Sequence, residues 1–112
     1  MMIADAFRAM ALGFPEAEEG SHFETADFRV SGKIFATLRG GDERAVLKLT
    51  PDQQRLLMET TPGLFQPVKG SWGEKGWTQA LLDRADGETV RHAMAMAWRN
   101  VAPKAVIKRH AL

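Results

Sequence analysis

Phe28-Arg29-Val30-Ser31-Gly32-Lys33-Ile34-Phe35-Ala36-Thr37-Leu38-Arg39, then Gly40-Gly41-Asp42-Glu43, then Arg44-Ala45-Val46-Leu47-Lys48-Leu49, is the stretch that decides the fold. Apolar and polar residues alternate in each run, the period of a strand with one buried face. Ser31-Gly32 suits a two-residue hairpin turn, because glycine reaches positive φ at little cost. In the run 33–39, Ile34, Ala36 and Leu38 fall on one face and Lys33, Phe35, Thr37 and Arg39 on the other. In the run 44–49, Ala45, Leu47 and Leu49 oppose Val46 and Lys48. Successive alternating runs joined by glycine-rich turns predict an antiparallel meander.

Outward from this meander the period changes. Ile3, Phe7, Met10 and Phe14 recur at helical spacing, and Gly13 and Pro15 end that helix, expected over 3–13. Glu16, Glu18 and Glu19 then form an acidic loop closing at Gly20. Downstream, Thr50, Pro51 and Gln53 make a capping box with proline in the first turn, opening a helix over 51–60 that stops before Pro62-Gly63. A short strand over 64–68, interrupted by Pro67, belongs at a sheet edge. A glycine-rich loop over 69–76 joins it to a strand over 77–82, closing a second hairpin. The longest helix, 87–101, shows its stripe in Val90, Ala93, Met94, Ala97, Trp98 and Val101, with Asp86 placed to cap it. His92 and Arg99 fall off that stripe and are expected at the surface, as is Met96. A basic tail, 103–112, carries Lys104, Lys108 and Arg109. The expected architecture is α+β: an antiparallel sheet of about five strands, three helices, and two β-hairpins as wings.

Composition bounds the function. A chain of 112 residues makes one domain, residues 1–112, and 45% hydrophobic content is enough for a core. The absence of cysteine excludes disulfides, thiolate metal sites and thiol catalysis. Asp5 and Arg8 interrupt the apolar N-terminus, leaving no signal-peptide core, and no run is long enough to span a membrane. A cytoplasmic location is the expectation. A formal net charge of +1 means that any polyanion must be held by local clustering of cations.

Several of these segments together resemble the MmcQ/YjbR family. The likeness rests on Phe28-Arg29-Val30-Ser31-Gly32-Lys33-Ile34-Phe35, Leu47-Lys48-Leu49-Thr50-Pro51, Gly76-Trp77 and Ala97-Trp98-Arg99, and runs from the first helix to about Ala102. The resemblance implies a YjbR/CyaY-like α+β fold whose two hairpins are likened to a double-wing DNA-binding motif. That link to DNA is one of fold analogy.

The residues themselves offer two binding readings. For nucleic acid, the chemistry is cations that reach phosphates and aromatic faces that stack on bases. Lys69, Trp72 and Lys75 share the second hairpin loop, and Arg39 and Arg44 flank the first hairpin turn, although Asp42 and Glu43 at its tip repel phosphate. The plain alternative is that the lysines are solvated loop charges and Trp72 covers the sheet edge. For a protein or a small anionic ligand, Lys33, Lys48 and Trp77 supply a cationic, aromatic sheet face. Here the plain alternative is a lysine stem lying over Phe28 or Phe35. Whether Arg29 joins that face depends on how the Ser31-Gly32 turn sets parity.

Other chemistries lack a constellation. His22, His92 and His110 have no partner at metal-ligand spacing; His22 offers only a local pair with Glu24. Ser21-His22 lacks a marked acid, and Glu18-Glu19 sits in a loop with no sign of burial. Gly70, Gly73 and Gly76 lack the strand-to-helix context of a phosphate loop. The expectation is a binding domain without catalytic activity, metal or cofactor, as a monomer or weak dimer, with DNA as partner or else a protein or small anionic ligand.

Overall fold

The structure is a computed structural model that describes residues 2–23, 25–39 and 44–110. Among these residues the chain runs α1 (Ala4–Leu12), β1 (Ala17–His22), β2 (Thr25–Val30), β3 (Lys33–Arg39), β4 (Arg44–Lys48), α2 (Pro51–Thr60), β5 (Phe65–Pro67), α3 (Ser71–Glu74), β6 (Trp77–Leu81), α4 (Gly87–Val101) and α5 (Lys104–His110), with a 3-10 turn over Leu82–Arg84. The six strands form one antiparallel sheet in the order β1-β2-β3-β4-β6-β5.

The punctuation read from the sequence is in place. Thr50 accepts a hydrogen bond from Gln53 N while the Gln53 side chain accepts from Thr50 N, and Pro51 opens α2. Asp86 accepts from Thr89 N at 2.8 Å and caps α4. Ser31 and Gly32 both take positive φ, the conformation a two-residue hairpin turn requires. The expected turn at 40–43 lies outside the described residues.

The counts and one strand face differ from expectation. β1 stands where an acidic loop was expected. Its Glu18-Glu19-Gly20-Ser21 centre has no apolar alternation, so an edge strand formed by pairing with β2 left no periodic signal. α3 occupies part of the expected glycine-rich loop, and α5 most of the basic tail. In the β2–β3 pairing the register slips between Phe28 and Arg29: Phe28 faces Ala36, whereas Arg29 faces Ile34. Phe35 is the extra residue of this β-bulge, so both Phe35 and Ala36 are buried and Ile34 moves to the opposite face with Thr37. Nor are the two hairpins separate wings. β4 pairs along its length with β6, from Arg44↔Leu81 to Lys48↔Trp77, and this joins them into one surface.

The core lies on one face of the sheet. Phe28, Val30, Phe35, Ala36, Leu38, Ala45, Leu47 and Ala80 meet Phe7 and Ala11 of α1 and the buried stripe of α4. Within that stripe Val90, Ala93, Met94, Ala97 and Trp98 are fully buried; His92 and Arg99 are exposed, and Met96 is partly buried against the core. Ile3, expected on the α1 stripe, is exposed because it precedes the first helical turn as N-cap. Phe14 touches Phe35 edge-on at 6.2 Å and stacks on Trp98 at 6.4 Å, while Trp98 Nε1 donates to Pro15 O at 3.0 Å. The tail helix docks through Val106, and Arg109 and His110 both reach Glu16 at 2.8 Å. The Arg109 guanidinium, then His110, hold the Glu16 carboxyl below its ordinary range. Two of the tail's basic groups are therefore committed to the fold.

Trp98→Ala removes a large buried ring and its hydrogen bond. It should cost about 3–5 kcal/mol in a urea or guanidinium unfolding titration, and a loss below about 1 kcal/mol would place Trp98 at the surface.

Candidate functional site

Helices α1 and α4 cover one face of the sheet, so the side chains of alternate parity line the other. Register places Thr37 opposite Val46, Val46 opposite Gln79, Arg39 opposite Arg44, and Lys48 opposite Trp77 on that second face. Two contiguous depressions run over it. The smaller, about 290 Å³, is walled by Ile34, Val46, Val68, Trp72 and Trp77. The larger, about 780 Å³, is lined by Arg39, Arg44, Lys69, Thr25, Gln66 and Gln79, among others. His22, Thr37, Val46 and Val68 belong to both, so they form one groove with an apolar end and a cationic end. Among the described residues lining either end there is no carboxylate.

The wall carrying Trp72 is built by α3, and two glycines and a glutamine hold it. A Cβ on Gly73 would lie 1.8 Å from Val68 O, and one on Gly76 2.0 Å from Leu49 O, so both positions admit only glycine without movement. Buried Gln54 of α2 extends its Nε2 to Gly73 O, Trp77 O and Thr78 Oγ1 at 3.0–3.2 Å, and Thr78 Oγ1 donates to Gly76 O. Asn100 of α4 ties in the same region through Lys48 O and Gln53 Oε1. Part of the expected glycine-rich hairpin loop is a short helix held against the sheet edge.

Most of the residues singled out in the sequence meet on this face. Arg39, Arg44 and Lys69 share the cationic end. Trp72 and Trp77 share the apolar end, ring centroids 5.9 Å apart and near perpendicular. Lys48 Nζ lies 4.9 Å from the Trp77 ring centre and Lys75 Nζ 5.4 Å from that of Trp72, both within cation–π range. Trp72 does not bury itself over the sheet edge: it remains 58% exposed. Trp77 Nε1 is buried and has no acceptor among the described residues. Lys33 is the outlier. It follows the Ser31-Gly32 turn, is exposed, and lines neither depression.

His22, Asp27 and Arg29 form a cluster the sequence reading missed. Asp27 is fully buried and accepts from Arg29 Nε at 2.7 Å, Arg29 Nη2 at 3.1 Å and His22 Nδ1 at 2.8 Å. Gly20 faces Asp27 across β1–β2, and a Cβ there would come within 2.9 Å of Asp27 Oδ1. The Arg29 hydrogen bonds, then that of His22, hold the Asp27 carboxyl below its ordinary value of 3.8 against the effect of burial. The partner of His22 is thus Asp27; Glu24 lies outside the described residues. Recognising this pair required β1, since only the β1–β2 register sets Asp27 beside His22. Among the described residues no three His, Cys, Asp or Glu side chains form a metal-binding group, and no helix is long and apolar enough to cross a membrane.

A depressed carboxyl pKa stabilises the fold above the ordinary pKa and loses that contribution as pH falls through the folded-state value. Asp27→Asn should therefore destabilise the protein at pH 7. The expected loss is about 1–3 kcal/mol, toward the low end because Arg29 and His22 are 38% and 41% exposed and water can replace part of their bonding. The gap from wild type should narrow as pH drops below 3.8. Chemical unfolding of both proteins at pH 7 and pH 3 measures it, and a gap independent of pH would contradict the assignment.

The fold is shared with solved structures. A Deinococcus radiodurans protein with a DUF419 domain superposes with a TM-score of 0.79 at 22% identity, covering 100% of this chain and 90% of that one. A Pseudomonas syringae protein superposes with a TM-score of 0.69 at 17% identity, covering 88% of this chain and 98% of its own. No protein of curated function matches the chain in sequence. The YjbR family model matches residues 12–100, from the end of α1 through the sheet and its groove to the end of α4, and the chain therefore belongs to the YjbR family.

Proposed function

We propose that this protein is a binding domain whose open sheet face holds nucleic acid, with Arg39, Arg44 and Lys69 as phosphate contacts and Lys75 and Trp72 at the rim. One observation carries the reading: three cations and two indoles converge on one groove, and no carboxylate lines it among the described residues. A polyanion meets attraction along the described lining of the groove, and with a net charge of only +1 the attraction must come from such local clustering. The family resemblance to DNA-binding wings supports the same partner. The contact surface in this reading is the sheet between the two hairpins, since β4–β6 pairing makes them continuous.

Of the three residues of the small-ligand alternative, Lys33 lies outside the groove, whereas Trp77 lines its apolar end with Lys48 over its ring. Binding should be weak and strongly salt-dependent, because it rests on a few exposed cations. Arg44→Ala with Lys69→Ala removes two exposed groups without touching the core. The slope of log affinity against log salt should fall by about 1.8 on duplex DNA and about 1.4 on a single strand, at roughly 0.9 and 0.7 per phosphate contact. A salt titration of wild type and double variant on mixed-sequence DNA in both forms measures this. Unchanged slopes, or no binding at low salt, would overturn the reading.

A further inference from the structure

Duplex and single-stranded nucleic acid would meet the apolar end of the groove differently. A duplex presents phosphates outside and keeps its base faces stacked within, so it satisfies the cationic end alone. The adjoining slot, about 290 Å³, is walled mainly by Ile34, Val46, Val68, Trp72 and Trp77, with His22 and Thr37 as its polar lining. Its size lies just below the range of drug-sized ligand pockets, about 300–1,000 Å³, and suits a single small ring system. Trp72 keeps 58% of its surface exposed beside this slot, and α3 holds it there through Gly73 and Gln54. An exposed indole on a rigid mount next to phosphate-reaching cations is the arrangement that stacks an unpaired base.

We infer that the slot takes an unpaired nucleobase against Trp72 while the adjacent phosphates lie on Arg44 and Lys69, so the preferred ligand is single-stranded. This rests on the nucleic-acid reading of the same groove and adds which strand form it selects. The charge order fits: Val46 and Val68 line both depressions, so a chain passing from the apolar to the cationic end follows base, sugar and phosphate without crossing a carboxylate of the described lining.

The test uses three probes of equal length: a thymidine oligonucleotide, an abasic phosphodiester strand, and a DNA duplex. All carry phosphates, but only the first presents free base faces. Wild type should bind the thymidine strand at least about five-fold tighter than the abasic one, the low end for stacking one base, with a change in tryptophan emission. Trp72→Ala should abolish that difference while leaving abasic binding in place, and Trp72→Phe should retain much of it. Because Trp72 is exposed, the substitution spares the core. Equal affinity of wild type for thymidine and abasic strands, tighter binding of the duplex, or a difference that survives Trp72→Ala would each overturn the slot while leaving phosphate binding intact. Failure to bind any of the three would overturn the nucleic-acid reading itself.

Discussion

Trp98 joins three parts of the molecule at one point. Its indole N–H holds Pro15 O, its ring stacks on Phe14, and its helix lies across β3 and β4. Because the longest helix is pinned to one face of the sheet, the apolar residues of that parity are consumed by the core. A sheet one layer deep with one covered face must present its other face to something else. Here that face carries arginines, lysines and tryptophans, so what the core excludes becomes the open cationic face for which binding is proposed.

The second organising element is polar. Gln54 and Thr78 are buried side chains that donate to carbonyls of the β5–β6 connection and of the first residue of β6. Buried donors paired in this way favour one arrangement, because a shifted chain leaves them unpaired at a cost of about 1–3 kcal/mol each. Gly73 and Gly76 allow the backbone to approach Val68 and Leu49 closely enough for that bonding. The result is a connection of 71–76 that behaves as part of the scaffold and carries Trp72 at a fixed place on the groove rim. The Asp27 cluster does the same at the other rim, holding His22 against Asp27 at the edge of both depressions.

What was legible in the sequence follows from which signals are local. The capping box at Thr50, the cap at Asp86, the Ser31-Gly32 turn and the Trp98 stripe depend on neighbours within one or two turns, and all four stand as read. β1 was not legible, because its residues lack alternation and its order comes from pairing with β2. The β3 bulge reversed the parity of Ile34 and Phe35, a shift that depends on the partner strand. Of the site, Arg39, Arg44, Lys69 and the two tryptophans were identified by type, but their convergence needed β4–β6 pairing, which joins residues far apart in the chain. Asp27 was invisible for the same reason.

The central claim is that the open sheet face, rather than the cleft of about 510 Å³ where Leu57 and Thr61 approach Glu88 and His92, is the binding surface. That cleft mixes Glu88 with Arg91 and has no exposed aromatic of the Trp72 kind. Amide and indole chemical shifts of the isotope-labelled protein, followed while a thymidine oligonucleotide is added at low salt, locate the contact directly. The account predicts shifts concentrated at Arg39, Arg44, Val46, Lys69, Trp72 and Trp77. Shifts clustered instead at Thr60, Thr61, Arg91 and His92, with the open face unmoved, would contradict it.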